Sequence, residues 1–396
     1  MRMMQSITDE LYARAEALLP AIRGEAESNE RNRVVAPNLI ARIREAELFR
    51  MMVPRRFGGY EQDCELALRI AIAFSGSCAS TGWCAVAGMV HAGLLAGFPL
   101  EAQHDIWDAG PDPYICGSYA PVGLAVPEQG GYRLSGTFAF ASGCDHAQWA
   151  VVGGLIAESG KPPAVPHFYL VPAADYRIDD NWFTSGLSGT GSKNLVIEAA
   201  FVPRHRALSF AAATSGDTPG SEIHDNPLYR IPLLSYFPPV LAATAVGAAK
   251  GALANYIEMI RVRETRGAVA GGHVRMADLA TIQLRLADAA AAIDAAETIL
   301  FRDVRMVTQK ARAAQRLTIA DRIHCRRGQA YATKLAIGAV EALNASTGGN
   351  GLFLHNVVQR AWRDANAVGR HISLNWDTVG TMYGQHALGL EPRGQY

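Results

Sequence analysis

From Ile7 to about residue 110, apolar residues recur at spacings of three and four, as at Leu39, Ile40, Ile43 and Leu48. Pro20, Pro37, Pro54 and Pro99 interrupt the pattern, so the stretch predicts several helices. Between Pro111 and Pro219 the texture changes. Ten of the nineteen prolines fall in this stretch, and the period drops toward two, which predicts strands and turns. The clearest strand is 132–141, in which alternation places Tyr132, Leu134, Phe138 and Phe140 on one face and Arg133, Ser135 and Thr137 on the other. Segments 146–156, 167–172 and 195–203 predict further short strands.

After Asp225 the chain turns helical again, and 274–327 contains no Gly or Pro. Leu279, Ile282, Leu286, Ala289, Ile293, Ala296, Leu300, Val304 and Val307 step by three and four, forming a stripe about 40 Å long that a bundle would bury. Thr318 followed by Asp321 is a capping pattern, so a new helix is expected there, running to about Asn344 before a glycine-rich turn at 348–351. The layout is an N-terminal helical domain (1–110), a β domain (111–220) and a C-terminal helical bundle (221–396). No βαβ alternation suggests a dinucleotide-binding Rossmann domain.

Composition narrows the classes. A chain of 396 residues, 49% hydrophobic and 19% charged, can bury two or three domains' worth of core. Lys+Arg and Asp+Glu both number 37, and no basic stretch interleaved with aromatics tracks a phosphate backbone, so nucleic acid is not an expected partner. Zero net charge fits a surface partly consumed in a homo-oligomer. The six cysteines form neither a CxxC pair nor a zinc-spaced cluster, so no metal is expected and buried free thiols are. The first residues carry no apolar signal core, and no run approaches the ~18 apolar residues of a membrane span; a cytoplasmic setting is expected.

Four stretches carry more specific information: Thr81, Gly82 and Trp83 leading to His91, Phe98 and Pro99; 134–143 with His146 and Trp149; 186–194; and 348–351 followed by Arg360, Arg363 and Asp364. In this order and spacing, the chain resembles the acyl-CoA dehydrogenase superfamily. The likeness is stronger to its flavin-dependent monooxygenase branch, the oxygenase components of two-component aromatic hydroxylases. The resemblance spans essentially the whole chain. It implies a mainly α fold with an N-terminal helical domain, a middle β-barrel-like domain and a C-terminal four-helix bundle, assembled as a tetramer, with flavin between the β domain and the bundle.

Two absences select the branch. Where the dehydrogenases carry a glutamate after the Arg–Asp pair, this chain reads Gly369, Arg370, His371, and from Ile231 to Asn255 there is neither Asp nor Glu. Removing a proton α to a thioester has no evident acceptor, a loss of roughly 10² to 10⁴ in rate. The resemblance instead implies that His371 stands beside flavin and a phenolic ring, where an imidazole raises the ring's electron density by accepting a proton from, or hydrogen-bonding to, its hydroxyl. Ser142 would place its hydroxyl or backbone near flavin N5.

The implied reaction is hydroxylation of a small aromatic through a C4a-hydroperoxyflavin. It would use O2 and reduced FMN or FAD delivered by a separate NAD(P)H:flavin reductase, since the chain has no NAD(P)H site of its own. By the same likeness, Ser118, Phe140 and Ser142 bind the cofactor, as do Ser188, Thr190 and Ser192 from a turn and Gly348, Gly349 and Gly351, while Arg263 (or Arg266) reaches the cofactor phosphate of a neighbouring subunit. Read as residues alone, several have plainer roles. Ser142 can be a turn residue, 348–351 a helix end, His91 a satisfied core histidine, and Cys116 and Cys144 packing groups. The alternatives are an acyl-CoA dehydrogenase or oxidase, an N- or S-oxygenating member of the branch, and a flavin-binding scaffold without turnover.

Overall fold

A computed structural model describes residues 2–158, 161–265 and 273–396. Seven helices come first: α1 (Arg2–Glu16), α2 (Leu19–Gly24), α3 (Ala26–Asn32), α4 (Pro37–Glu45), α5 (Cys64–Ser77), α6 (Ala79–Leu95) and α7 (Leu100–Trp107). Pro20 and Pro37 sit in first turns, where the missing N–H costs nothing, and Asp63 caps α5 by accepting from the Glu65 N–H. α6 is apolar on almost every side, and all but one of its residues are buried, so it runs through the core.

The middle of the chain forms one seven-stranded sheet from β1 (Ile115–Glu128), β2 (Gly131–Ala141), β3 (Trp149–Glu158), β4 (Lys161–Pro172), β5 (Arg177–Asp179), β6 (Lys193–Pro203) and β7 (Ala207–Ser209). The order is β5-β6-β2-β1-β3-β4-β7. β1 and β3 run parallel and every other pair antiparallel.

Helices then resume with α8 (Phe210–Ser215), α9 (Pro219–Ile223), α10 (Leu233–Val262), α11 (Ala280–Arg312), α12 (Ile319–Asn344), α13 (Val357–Val368) and α14 (Trp376–Ala387). α10 is long and apolar enough to cross a membrane by length and composition, against the expectation that no run approaches a membrane span. Here it is a core helix, packed against α5, α12 and α13. It carries Pro238 and Pro239 in its second turn. A proline at 238 cannot donate to the Leu234 carbonyl, and Gln329 Nε2 of α12 fills that place at 3.2 Å. α11 starts at Ala280, later than the Gly- and Pro-free stretch suggested, and buries Ile282, Ala289, Ile293, Ala296, Leu300, Val304 and Val307. The capping box of Thr318 and Asp321 opens α12 as expected, and the helix ends at Asn344. One continuous core joins the N-terminal helices, the sheet and the bundle. All six cysteines are buried and unpaired.

Candidate functional site

Ser142 lies just past the end of β2, bracketed by Phe140 (φ +65°) and Gly143 (φ +69°). Tyr114 packs where a Cβ on residue 143 would have to stand, so only glycine fits. The turn aims the Ser142 hydroxyl at α6, where Trp83 Nε1 donates to its Oγ at 2.9 Å. The left-handed Phe140 also overturns one expectation. The pairing of β2 with β6 slips between Phe138 and Ala141, and this bulge breaks the alternation that would have buried Phe140 with Tyr132, Leu134 and Phe138. Phe140 is instead 69% exposed and meets Trp182 edge-on at 6.0 Å.

A second turn supplies three more groups. Leu187 (φ +51°) and Gly191 (φ +53°) flank a single helical turn at Ser188–Thr190. Thr190 Oγ1 donates to the Leu187 carbonyl at 2.7 Å, Thr190 Oγ1 and Ser192 Oγ lie 2.6 Å apart, and Ser192 Oγ and Ser142 Oγ 2.7 Å apart. Leu187 is held from both sides. Trp182 Nε1 also donates to its carbonyl at 3.1 Å, and its own N–H donates to Asp364 Oδ1 of α13 at 2.7 Å. Burial pushes the Asp364 carboxyl up to about 6. Next to it, Arg363 Nη1 donates to the Ser185 carbonyl at 2.8 Å, and a Cβ at Gly186 would overlap the Arg363 carbonyl. The Arg–Asp pair thus clamps this turn onto the bundle.

His371 caps the short turn Ile372–Leu374. Its Nδ1 accepts from the Ser373 N–H at 3.2 Å, which assigns the proton of the neutral ring to Nε2. The ring meets Trp83 edge-on at 5.7 Å. Burial, with the positive charge of Arg326 behind it, pushes the imidazole down to about 4, so it is neutral at pH 7. Two turns farther along α6, His91 has the opposite polarity: its Nδ1 donates to the Ile115 carbonyl at 2.7 Å, leaving a lone pair on Nε2. Its ring stacks on Phe237 and meets Tyr119, and Gly117 packs so closely that a Cβ there would stand 2.8 Å from Nε2. Burial lowers this imidazole to about 4 as well. Among the described residues no carboxylate bonds to Trp83, Ser142 or His371.

The structure therefore brings Ser142, Thr190, Ser192 and His371 together around Trp83, with Phe140 at the rim. Ser118 stands on β1 and spends its hydroxyl proton on the Ala139 carbonyl at 2.7 Å; Ser188 spends its own on the Thr184 carbonyl at 2.6 Å. Arg263 lies elsewhere, at the far end of α10. It donates to the Thr347 carbonyl, and Gly348 (φ +61°) leaves room for its guanidinium where a Cβ would stand 2.8 Å from Nη2. Gly349 is open to solvent, and Gly351 is buried against Thr347. Among the described residues no contact within one chain links this second cluster to the hydroxyls, and Arg266 lies outside the described residues. Asp364 and Leu187 lie in stretches the sequence singles out, but nothing there pairs them, and Trp182 was not singled out. A cavity of about 1370 Å³ between α1, α5, α10 and α11 touches none of these groups.

Residues 239–376 match the family described as acyl-CoA dehydrogenase, C-terminal domain. Over 391 residues the chain is 51% identical to the FADH(2)-dependent resorcinol hydroxylase, oxygenase component, of Rhizobium sp. (strain MTP-10005), covering 98% of this chain and 96% of that one. The crystal structure of 3-HSA hydroxylase from Rhodococcus sp. RHA1 superposes with a TM-score of 0.92 at 36% identity, covering 98% of each chain. XiaF from Streptomyces sp., in complex with FADH2 and glycerol, superposes with a TM-score of 0.91 at 28% identity over 99% of this chain and 98% of that one.

Proposed function

Since the chain belongs to the flavin-dependent oxygenase components built on the acyl-CoA dehydrogenase fold, we propose that its reduced cofactor sits against Ser142 and its aromatic substrate against His371. The chain is a flavin-dependent monooxygenase that receives reduced flavin from a separate reductase and uses O2 as co-substrate. The residues fit that cofactor: Ser142 offers a hydroxyl at a buried turn, and Phe140 an exposed aromatic face beside it. Reduced flavin, when bound, supplies the two electrons with which one oxygen atom enters the ring and the other leaves as water.

The chain's own groups bind, orient and polarise. At pH 7 His371 presents Nε2–H and so donates to the oxygen of a phenolic substrate, drawing it toward phenolate and raising the ring's electron density; the charge of Arg326 acts in the same sense. His91 presents a bare Nε2 and accepts from a hydroxyl. A donor at His371, beside Trp83, and an acceptor at His91, two turns along the same helix as Trp83, suit a ring with two hydroxyls, and we assign resorcinol-like dihydroxybenzenes as the substrate class, in keeping with the substrate named for the 51%-identical relative. Thioester desaturation is not favoured, because no described carboxylate bonds to Trp83, Ser142 or His371.

We assign FAD as the flavin, as named for that relative and for XiaF. Domains 1–110, 111–220 and 221–396 meet at the site. A cytoplasmic homotetramer is the proposed state: the thiols are all unpaired, and the exposed cluster of Arg263, Gly348 and Gly349 would face the cofactor of a neighbouring copy. The observation that carries the reading is the contact of Trp83 with both Ser142 and His371. The test is a panel of phenols incubated with the protein, FAD, NADH, a generic flavin reductase and air, read by product mass. A dihydroxybenzene should gain one oxygen atom. Unchanged phenols with stoichiometric H2O2 would refute the reading.

A further inference from the structure

The hydroxyl contacts around Ser142 leave no choice in the placement of their protons. A carbonyl oxygen can only accept, so the 2.7 Å contact of Thr190 with the Leu187 carbonyl consumes the Thr190 proton. The 2.6 Å contact between Thr190 and Ser192 must then take its proton from Ser192. By the same reasoning, the 2.7 Å contact between Ser192 and Ser142 takes the proton of Ser142. Three contacts use three protons. Trp83 Nε1 donates to one lone pair of Ser142 Oγ, leaving one lone pair and no proton to face outward. The far end is fixed too, because Leu187 is gripped by Asp364 through its N–H and by Trp182 at its carbonyl.

We propose that Thr190 and Ser192 are positioning residues that polarise Ser142 into a pure hydrogen-bond acceptor, so that the site selects reduced over oxidised flavin. The chemistry of flavin N5 makes this consequential: N5 carries a proton in the reduced form and only a lone pair in the oxidised form. Reduced flavin donates to Ser142. Oxidised flavin sets two lone pairs against each other and leaves both unpaired in a buried place. The relay thus promotes uptake of the reduced cofactor and release of the spent one. The inference rests on the reading that Ser142 stands at N5.

The test is anaerobic titration of the intact protein with FAD and with dithionite-reduced FAD, giving a dissociation constant for each. Wild type should bind the reduced form about tenfold or more tightly, equivalent to a bound-flavin potential raised by about 30 mV or more. Ser192→Ala frees the Ser142 proton to meet oxidised N5, so the ratio should fall toward one, mainly through tighter binding of oxidised FAD. Thr190→Val should act likewise, whereas Thr190→Ser, which restores the hydroxyl, should keep the wild-type ratio. Should Ser192→Ala fail to fold, the Thr190 pair decides alone. A wild-type ratio near one, or a ratio unmoved by both Ser192→Ala and Thr190→Val, overturns the relay. Ser142→Ala separates the two levels. If it weakens reduced-FAD binding while the relay variants change nothing, only the relay is wrong; if it leaves both flavin affinities unchanged, the placement of Ser142 at the cofactor fails and the relay falls with it.

Discussion

At the Ser142 cluster every hydroxyl proton has a partner within one chain, and the groups that hold the cluster come from α6, two turns of the β unit and α13. The Arg263 cluster is the opposite case. Its glycines are largely open, and it is surrounded by apolar side chains turned to solvent: Val262 is 84% exposed, Leu352 82% and Leu354 68%. The contrast teaches that the two ends of the proposed cofactor site are made in different ways. One is preorganised by folding and sets chemistry; the other, in the proposed tetramer, would be finished by a second copy and would set affinity.

The largest effect expected along this division is at the preorganised end. His371→Ala should lower hydroxylated product by about 10²-fold or more, while O2 consumption by the reduced-flavin complex continues and H2O2 replaces product; parallel product and H2O2 assays check it. Equal loss of both would mean the imidazole only supports the fold. At the other end, Arg263→Ala should weaken binding of both flavin forms by about tenfold and leave their ratio alone, with the loss greatest at protein concentrations where the assembly dissociates. A change in the ratio would erase the distinction between the two clusters. Gly186→Ala pushes a methyl into the Arg363 carbonyl and should cost about 1–3 kcal/mol of stability, measured by denaturant unfolding.

The smallest expected effect is one of pH. Asp364 ionises near 6, above the ordinary carboxylate range, so the folded state holds this proton more tightly than the unfolded chain does. Its contribution to stability therefore grows as pH falls from 7 through 6 toward 4. His371 and His91, both lowered to about 4, act in the opposite sense, since the unfolded chain takes up their protons below about 6.5. The difference between wild type and Asp364→Asn isolates the carboxyl. Relative to wild type, the variant should gain about 1–2 kcal/mol between pH 5 and 7, measured by urea unfolding at each pH.

What could be read from the sequence follows from how far apart the partners lie in the chain. The α12 cap needs Thr318 and Asp321, and the α11 stripe repeats every three or four residues; both are local and both were visible. His371 was found by its place in a family pattern, together with the absence of a glutamate. The hydroxyl relay was not visible as a relay. Its members were named one by one, but Trp83 and Ser142 are 59 residues apart and Leu187 and Asp364 177, and nothing in the local pattern pairs them. Phe140 misled for a related reason: alternation assumes an unbroken ladder, and the bulge against β6 is a tertiary event. The tautomers of His91 and His371 likewise depend on one carbonyl and one N–H that only folding brings to each ring.

A crystal structure of the intact protein grown anaerobically with reduced FAD tests the central claim most directly. The account predicts flavin N5 within hydrogen-bonding distance of Ser142 Oγ and the ring lying between the Phe140 side of the sheet and Trp83, with His371 Nε2 turned to the open space above it. A flavin bound away from Ser142, or one with a carboxylate poised over its ring in place of His371, would contradict it.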